Sequence, residues 1–292
     1  MSESFSNDGG LHAVISQLFI YPVKSCAPLA LDKVLLTDQG LDYDRTWMVV
    51  DEQGEFLSQR ELPRLALVQP QMRAADLVLR APGMLPLHLA LQGVEGPARV
   101  RIWDEELPAW DMGELAAQWF SDFLGRRARV VRFDPEVERA SSRRWTEGQT
   151  VLNTFSDGFP LLLISQPSLD ELNQRLQAQG RAAVPMQRFR PNIVLAAPDG
   201  RWQAHDEDRV DVLQVAGSQI AFKPVKPCPR CAMVDNDPAS GTSAPGVLQT
   251  LQTYRQDARV DGAISFGMNL MTLGGFEQQL AVGQAVTARL RF

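Results

Sequence analysis

The feature that most constrains this chain is a proline-rich segment that carries two closely spaced cysteines. It runs from Phe222 to Gly241 and reads Phe-Lys-Pro-Val-Lys-Pro-Cys-Pro-Arg-Cys-Ala-Met-Val-Asp-Asn-Asp-Pro-Ala-Ser-Gly. Each proline ring removes an N–H donor and fixes φ, so such a segment can neither continue a helix nor complete a central strand ladder. We therefore predict a stiff loop that presents the thiols of Cys228 and Cys231.

Several kinds of site could use two such thiols. A structural zinc site needs four nitrogen or sulfur ligands, and the rest of the chain offers only Cys26 and three scattered histidines. A redox dithiol of the thioredoxin type opens a helix, whereas a turn at Asp237-Pro238 follows this pair. A turn with incidental cysteines stays open, because free cysteine is commonly a small buried hydrophobe. The remaining interpretation is a single thiolate ligand, which is favoured by the neighbouring cations Lys223, Lys226 and Arg230.

The amino-acid composition indicates a soluble globular protein. The 292 residues suffice for one large or two ordinary domains, and 45% hydrophobic with 22% charged residues is typical of a soluble globular chain. The net charge of −6 argues against a nucleic-acid partner but does not exclude a local basic pocket. No apolar run approaches the roughly 20 residues of a membrane span. Three cysteines without a disulfide framework fit a reducing compartment, so we expect a cytoplasmic protein.

Residue patterns predict mainly short strands separated by turns, among them 14–21 and 65–69. Helices are expected at 113–124, where four apolar residues share one face, and at 247–254. A third helix should start at Ser168, which forms a capping box with Glu171, and end at Gly180. The helical aromatics at 119–123 and Cys26 should pack in the core, and His205 should lie on the surface.

A charged stretch without periodicity, 134–149, predicts a surface connection between two domains, 11–135 and 150–292. Arg190 precedes a proline, so we expect it to be extended. Sequence alone leaves its function open, since exposed arginines are common.

Five separated motifs resemble, in order, those of the MOSC-domain proteins, within them the amidoxime-reducing-component and YcbX-like group. They are Tyr21-Pro-Val-Lys-Ser-Cys26, Asp44-Arg-Thr-Trp47, Phe189-Arg-Pro-Asn192, Pro227-Cys-Pro-Arg-Cys231 with Asp237-Pro-Ala-Ser-Gly241, and Phe266-Gly267. The resemblance implies a sheet-rich α+β fold, with an N-terminal mixed α/β domain packed on a C-terminal MOSC β-barrel.

The resemblance also implies a molybdenum cofactor site with Cys231 as the metal ligand, and soft thiolates suit such a centre. Asp235 and Asp237 are candidate proton relays beside it. The residues expected to bind the cofactor are Lys24, Ser25, Arg45, Phe155, Ser156, Asp157, Arg190, Asn192 and Arg230. Pro229 stands where the eukaryotic members carry a small hydroxyl residue, which removes one expected contact to the pterin.

The implied reaction is reduction of N-hydroxylated compounds, namely hydroxylamines, N-hydroxy bases and amidoximes, by oxygen-atom transfer. The sequence reaches Phe292 without the cysteine-rich ferredoxin module common in the group, so we expect electrons from a separate ferredoxin, flavoprotein or cytochrome b5 type protein. Two other interpretations stay open. One is a cofactor carrier or sulfur-handling module without turnover, and the other is a binding protein for another metal or for pyridoxal phosphate, although no lysine has a convincing Schiff-base setting.

Overall fold

The computed structural model describes residues 10–291. Strands dominate and helices are few, which confirms the sheet-rich α+β class. The N-terminal part contains β1 (Leu11–Ile20), β2 (Leu29–Leu31), β3 (Lys33–Thr37), β4 (Gly40–Leu41), β5 (Trp47–Val50), β6 (Gln69–Met72), β7 (Asp76–Arg80), β8 (Leu87–Ala90), β9 (Gly96–Ile102), β10 (Glu105–Asp111), α1 (Glu114–Leu124) and β11 (Arg129–Phe133). The C-terminal part contains β12 (Leu161–Ser165), α2 (Gln166–Ala178), β13 (Ile193–Ala196), β14 (Val210–Val215), β15 (Ala221–Pro229), β16 (Asn236–Asp237), β17 (Thr242–Ser243), α3 (Val247–Gln252), β18 (Gln256–Asp257), β19 (Ala263–Gly274), β20 (Gln279–Ala281) and β21 (Ala285–Leu290).

Seven strands close into a barrel in the order β12, β13, β1, β21, β14, β15 and β19, and β19 pairs back to β12. Only the β12 and β13 pair is parallel among these described neighbours. Closure gives every barrel strand a partner on both sides, although β15 pairs with β14 only at its first two residues. Because β1 belongs to the N-terminal part, residues 150–292 do not form this barrel alone. The predicted division within 134–149 remains a prediction.

The barrel core depends on a β-bulge in β1. Pairing with β13 shifts register between Ile15 and Gln17. Without this shift, strict alternation would turn one half of the strand outward. With it, Ala13 and Ile15 before the bulge and Leu18 and Ile20 after it all join the same buried cluster. The other face of β1 carries Phe19 into a second cluster, which packs under α2.

The N-terminal part has a separate core beneath two sheets. One sheet has the order β5, β11, β10, β9 and the other has the order β6, β7, β8. α1 packs its aromatic face against them, and Trp119, Phe120 and Phe123 are all buried. This confirms the core assignment of these aromatics.

The prediction of a loop at Phe222–Gly241 is wrong for residues 222–229, because these residues belong to strand β15, which extends to Pro229. The prolines are tolerated for two reasons. β14 pairs only with Ala221 and Phe222, so the rest of β15 has a single partner among the barrel strands, β19. The β15 and β19 register also shifts around Pro224 and Pro227, which removes the need for a regular ladder there.

Three smaller predictions are also corrected. The strand predicted at 65–69 starts only at Gln69, as β6, because Pro63–Leu67 forms a 3-10 helix with proline in its first turn. The N-cap of α2 is Ser165, whose side chain accepts the Ser168 N–H, so the cap lies three residues before the expected Ser168 and the helix starts at Gln166. His205 is largely buried, with its ring near Tyr254 and Phe266.

The contribution of β1 to the barrel can be tested with Leu18→Ala. Leu18 is 1% exposed in the barrel core, so its truncation should lower the free energy of unfolding by about 2–5 kcal/mol. Leu85→Ala is the matched control, because Leu85 is 83% exposed and should change stability little. Denaturant titration followed by fluorescence measures both, and equal effects would contradict the role given to β1.

Candidate functional site

A cavity of about 220 Å³ lies where the N-terminal and C-terminal parts meet. Segments near residues 24, 45 and 58 form its N-terminal side. Segments near residues 157, 190 and 230 form the opposite side. Nine residues predicted from sequence line it together: Lys24, Ser25, Arg45, Ser156, Asp157, Arg190, Asn192, Arg230 and Cys231.

The cavity is strongly basic although the chain is acidic. Within the described lining there are seven cationic side chains and one acidic side chain, Asp157. The cations are Lys24, Arg45, Arg60, Arg188, Arg190, Lys226 and Arg230. Such a concentration of one charge in a cleft attracts anions regardless of the net charge.

Lys24 and Asp157 connect the interior of the cavity with solvent. The Lys24 ammonium is nearly buried and donates to the Phe155 carbonyl oxygen at 2.8 Å and to Asp157 Oδ1 at 2.5 Å. Burial lowers the pKa of Lys24 to about 8, and the carboxylate opposes that shift. Lys24 and nearby guanidinium groups hold the pKa of Asp157 well below its usual range. The Asp157 side chain is 69% exposed, so the pair spans the cavity wall.

Two arginines of the cavity share one aromatic ring. The guanidinium carbons of Arg45 and Arg190 lie 4.3 and 4.1 Å from the centre of the Tyr21 ring. Tyr21 is buried, its hydroxyl donates to the Pro191 carbonyl, and burial raises its pKa. The ring therefore acts as a neutral support that brings two like charges close together.

The backbone at three lining residues is left-handed. Ser25, Arg45 and Arg190 have φ of 67°, 49° and 57°. For Arg190 this corrects the extended conformation predicted before Pro191. The residue ends the 3-10 helix Met186–Phe189, and a left-handed residue is a common way to end a helical turn. Sparsely populated backbone conformations concentrate at binding sites, where the side chain direction matters.

Three guanidinium nitrogens of the lining are buried without a hydrogen-bond partner among the described residues. They are Nε of Arg188, Nη2 of Arg190 and Nε of Arg230. Burial lowers the pKa of Arg190 to about 10. Buried charged donors without partners are costly, so these atoms point to an anionic ligand that supplies the acceptors.

Cys231 lies between two well-anchored elements. Before it, the Arg230 N–H donates to the Ile264 carbonyl at 2.8 Å, and after it a 3-10 helix spans Ala232–Asp235. Cys231 is exposed to the cavity, whereas Cys228 is half-buried with its Sγ 3.1 Å from Arg230 Nη1. Cys26 is buried in the core as predicted, and desolvation raises the pKa of its thiol to about 12.

Three predicted residues do not line the cavity. The Phe155 ring is fully buried against Phe133, and only its carbonyl reaches Lys24. Asp235 Oδ1 accepts the N–H groups of 246, 247 and 248 at 3.1, 2.8 and 3.2 Å, which commits it to the start of α3. Asp237 accepts the Ala239 N–H and lies 3.9 Å from Arg188. Neither aspartate lines the cavity, and the proton-relay role of Asp235 and Asp237 stays a prediction.

The sequence interpretation missed four contributors. Arg60, Arg188 and Lys226 line the cavity without having been assigned to it. Arg139, from the stretch predicted as a surface connection, is buried and donates to Asn153, to the Thr154 and Ser156 carbonyls and to Glu105. It thereby fixes the loop that presents Ser156 and Asp157. The stretch 134–149 has no helical or strand periodicity, so the sequence did not indicate that Arg139 is buried. Arg188 directly precedes the motif Phe189-Arg-Pro-Asn192, and this position was a signal that it lies at the site.

Family comparison agrees with the fold and the cavity. The MOSC N-terminal beta barrel domain matches residues 12–127, and the MOSC domain matches residues 152–287. The chain therefore belongs to the MOSC-domain proteins, and within them to the family of the amidoxime reducing components.

Individual relatives support this assignment. The chain is 34% identical to mitochondrial amidoxime reducing component 2 of Rattus norvegicus over 82% of its own length and 72% of the relative. It is also 34% identical to mitochondrial amidoxime-reducing component 1 of Mus musculus, over 82% and 71%. Molybdenum cofactor sulfurase of Bos taurus is 32% identical over 90% of this chain, which spans only 31% of that longer protein.

Across residues 10–291, every helix is too short or too polar to traverse a lipid bilayer.

The anchoring role of Arg139 predicts a large effect of Arg139→Met. The variant keeps the unbranched apolar stem of the side chain but leaves the Thr154 and Ser156 carbonyls and Asn153 without their donor. We expect the free energy of unfolding to fall by about 3 kcal/mol and hydrogen exchange to rise at residues 153–157. Arg143→Met in the same stretch is the control, because Arg143 is exposed and makes one long contact to Thr150. Equal results for both variants would refute the anchoring role.

Anion binding should depend on pH through Lys24. A lysine attracts anions only while protonated, so with a pKa of about 8 its contribution is present below that pH and lost above it. Sulfate does not titrate in this range, and its affinity should fall about tenfold between pH 7 and pH 9, as measured by calorimetry. Lys24→Met should remove this dependence, whereas Lys223→Met, outside the lining and paired with Glu147, should retain it. A flat profile for the unmodified protein would contradict this assignment.

Proposed function

We propose that the cavity binds a molybdenum-pterin cofactor and that the chain reduces N-hydroxylated compounds. The observation that carries this proposal is the set of three buried guanidinium donors without partners, which lines the same cavity as the exposed thiol of Cys231. A cofactor with a phosphate at one end and a sulfur-bound metal at the other matches both features.

Cys231 is proposed as the metal ligand. Among the three cysteines it is the exposed one. Cys26 cannot readily supply a thiolate because burial disfavours its charged form. Cys228 also lines the cavity, but it is half-buried, contacts Arg230 and packs against the buried cluster that contains Val234 and Phe266.

The residues that would hold the organic part come from both sides of the cavity. Arg188, Arg190 and Arg230 would direct their free donors to the phosphate, and Lys24 and Arg45 would add charge. Polar lining residues would contact the pterin edge, namely Ser25, Ser156, Asp157 and Asn192, together with the main chain at Phe155.

When bound, the metal would supply the two-electron chemistry that converts an N–OH group and two protons into N–H and water. The chain would supply binding and orientation. Its cations would neutralise the cofactor, and its rigid backbone would fix the thiolate. Electrons would come from a separate donor protein of the ferredoxin, flavoprotein or cytochrome b5 type. The names of the amidoxime reducing relatives support the choice of N-hydroxylated substrates.

A second candidate function is a cofactor carrier or sulfur-handling module without reductase turnover. It is supported by the similarity to molybdenum cofactor sulfurase, which covers 90% of this chain. The carrier would need the same cavity and the same thiol. The two functions therefore differ in turnover rather than in binding.

Cys231→Ser tests the proposed ligand. Produced in cells that make the cofactor, the variant should lose most of its molybdenum and at least about a hundredfold in benzamidoxime reduction with a chemical electron donor, because a hydroxyl is a poor ligand for a soft metal. Cys228→Ser is the matched control and should retain its metal. Retention of full metal content by Cys231→Ser would overturn the ligand assignment. Loaded protein that reduces no N-hydroxy compound would favour the carrier.

A further inference from the structure

A row of alternating cations and aromatic rings leads outward from the cavity. The Lys24 ammonium lies 5.3 Å from the centre of the Phe56 ring, and the Arg60 guanidinium lies 5.5 Å from the same ring. Arg60 also lies 4.6 Å from the centre of the Trp103 ring, which packs edge-on against Phe56 at 5.0 Å. Phe56 and Arg60 line the cavity, so Trp103 extends its wall to the outside.

Trp103 occupies a position that suits tryptophan poorly. It stands in the two-residue turn between β9 and β10 with φ of 56°, where glycine, asparagine or aspartate is favoured. Its side chain is also 45% exposed. Neither the backbone of the turn nor burial in the core explains why a tryptophan stands at this position. We infer that Trp103 is explained by its position beside the cavity.

Arg60 gives this aromatic surface a polar function. Its side chain makes no ion pair and no hydrogen bond to an oxygen atom in the described part of the chain. The two rings hold its plane, and Nη1 lies 3.9 Å from the Met233 sulfur, two residues beyond Cys231. The guanidinium therefore keeps free donors at the mouth of the cavity, on the side nearest the proposed ligand.

We propose that Arg60 and Trp103 form the substrate-contacting rim of the site. The rim selects flat aromatic or heteroaromatic N-hydroxy compounds that carry a hydrogen-bond acceptor. This inference rests on the proposed function for the reaction, but the surface itself follows from the ring and guanidinium geometry.

The size of the cavity supports a rim outside it. A volume of about 220 Å³ is small for a binding pocket, so a cofactor bound there leaves little room for the organic part of a substrate. That part would lie at the mouth, where Trp103 offers a ring and Arg60 a donor. Stacking on an aromatic ring and on a guanidinium plane favours flat π-systems over aliphatic chains.

Steady-state kinetics of cofactor-loaded protein with a chemical electron donor test the rim. Trp103→Asn removes the ring and suits the backbone of the turn, so it should fold. We expect it to lower kcat/KM for benzamidoxime about tenfold, through KM, and to change kcat/KM for acetamidoxime less than about twofold. Trp103→Phe should restore most of the benzamidoxime activity. Phe276→Ala is the control, because Phe276 is also 45% exposed but takes no part in the ring and guanidinium contacts around Phe56 and Arg60, and it should behave like the unmodified protein. Equal losses on both substrates, or no loss, would overturn the inference.

A binding measurement separates this inference from the proposed function. Without an electron donor, calorimetry of benzamidoxime with loaded protein should show a dissociation constant about tenfold higher for Trp103→Asn than for Trp103→Phe. If the loaded protein reduces no N-hydroxy compound, the proposed function fails, yet this difference in binding still supports the rim. Equal dissociation constants for the two variants would refute the rim even if reduction is observed.

Discussion

The crowding of positive charge at one place is the constraint on which this structure depends. Desolvated cations repel one another and are costly to bury. Lys24 and Arg45 each pair with one carboxylate, Asp157 and Asp44, and neutral groups supply further contacts. The Phe155 carbonyl accepts from Lys24, the Cys26 carbonyl accepts from Arg190, and the Tyr21 ring lies under two guanidinium groups. Carbonyls and rings hold a cation without cancelling its charge, so the lining keeps a positive field that can attract an anion. An anion that binds only the folded state would then stabilise it.

Hydrogen bonds beside these cations also join the N-terminal and C-terminal parts of the chain. Asn192 accepts from Arg45 and from the Leu162 N–H through one oxygen, and its nitrogen donates to the Phe19 carbonyl. One buried amide thus connects the loop before β5 with β12 and β1. Asp44 acts similarly, since it pairs with Arg45 and accepts the Tyr21 N–H at 2.7 Å. The cavity is therefore formed by the interface itself and requires both parts to be folded.

The sequence predicted the elements and the cavity residues better than it predicted backbone detail. Strong periodicity located α1, and the family resemblance identified nine residues that meet in one cavity, seven of them within the ordered motifs. Three features of the structure were not predicted from the sequence. The tolerance of β15 for prolines depends on its having one partner, the left-handed turn at Arg190 depends on the helical turn before it, and the burial of Arg139 depends on carbonyls of a distant loop. Each is a tertiary effect, which local propensity does not contain.

The position of Cys231 follows from these tertiary effects. The strand that ends at Pro229 carries the chain to the rim of the barrel, and the cap that Asp235 provides for α3 fixes the turn after the thiol. From the following residue, the Asn236 side chain donates to the Gln59 carbonyl at 2.8 Å, which ties this turn to the N-terminal part beside Arg60. A thiolate held from both directions undergoes little rearrangement when it binds a metal. Asp235 therefore contributes to the site by fixing the backbone that carries the proposed ligand, Cys231.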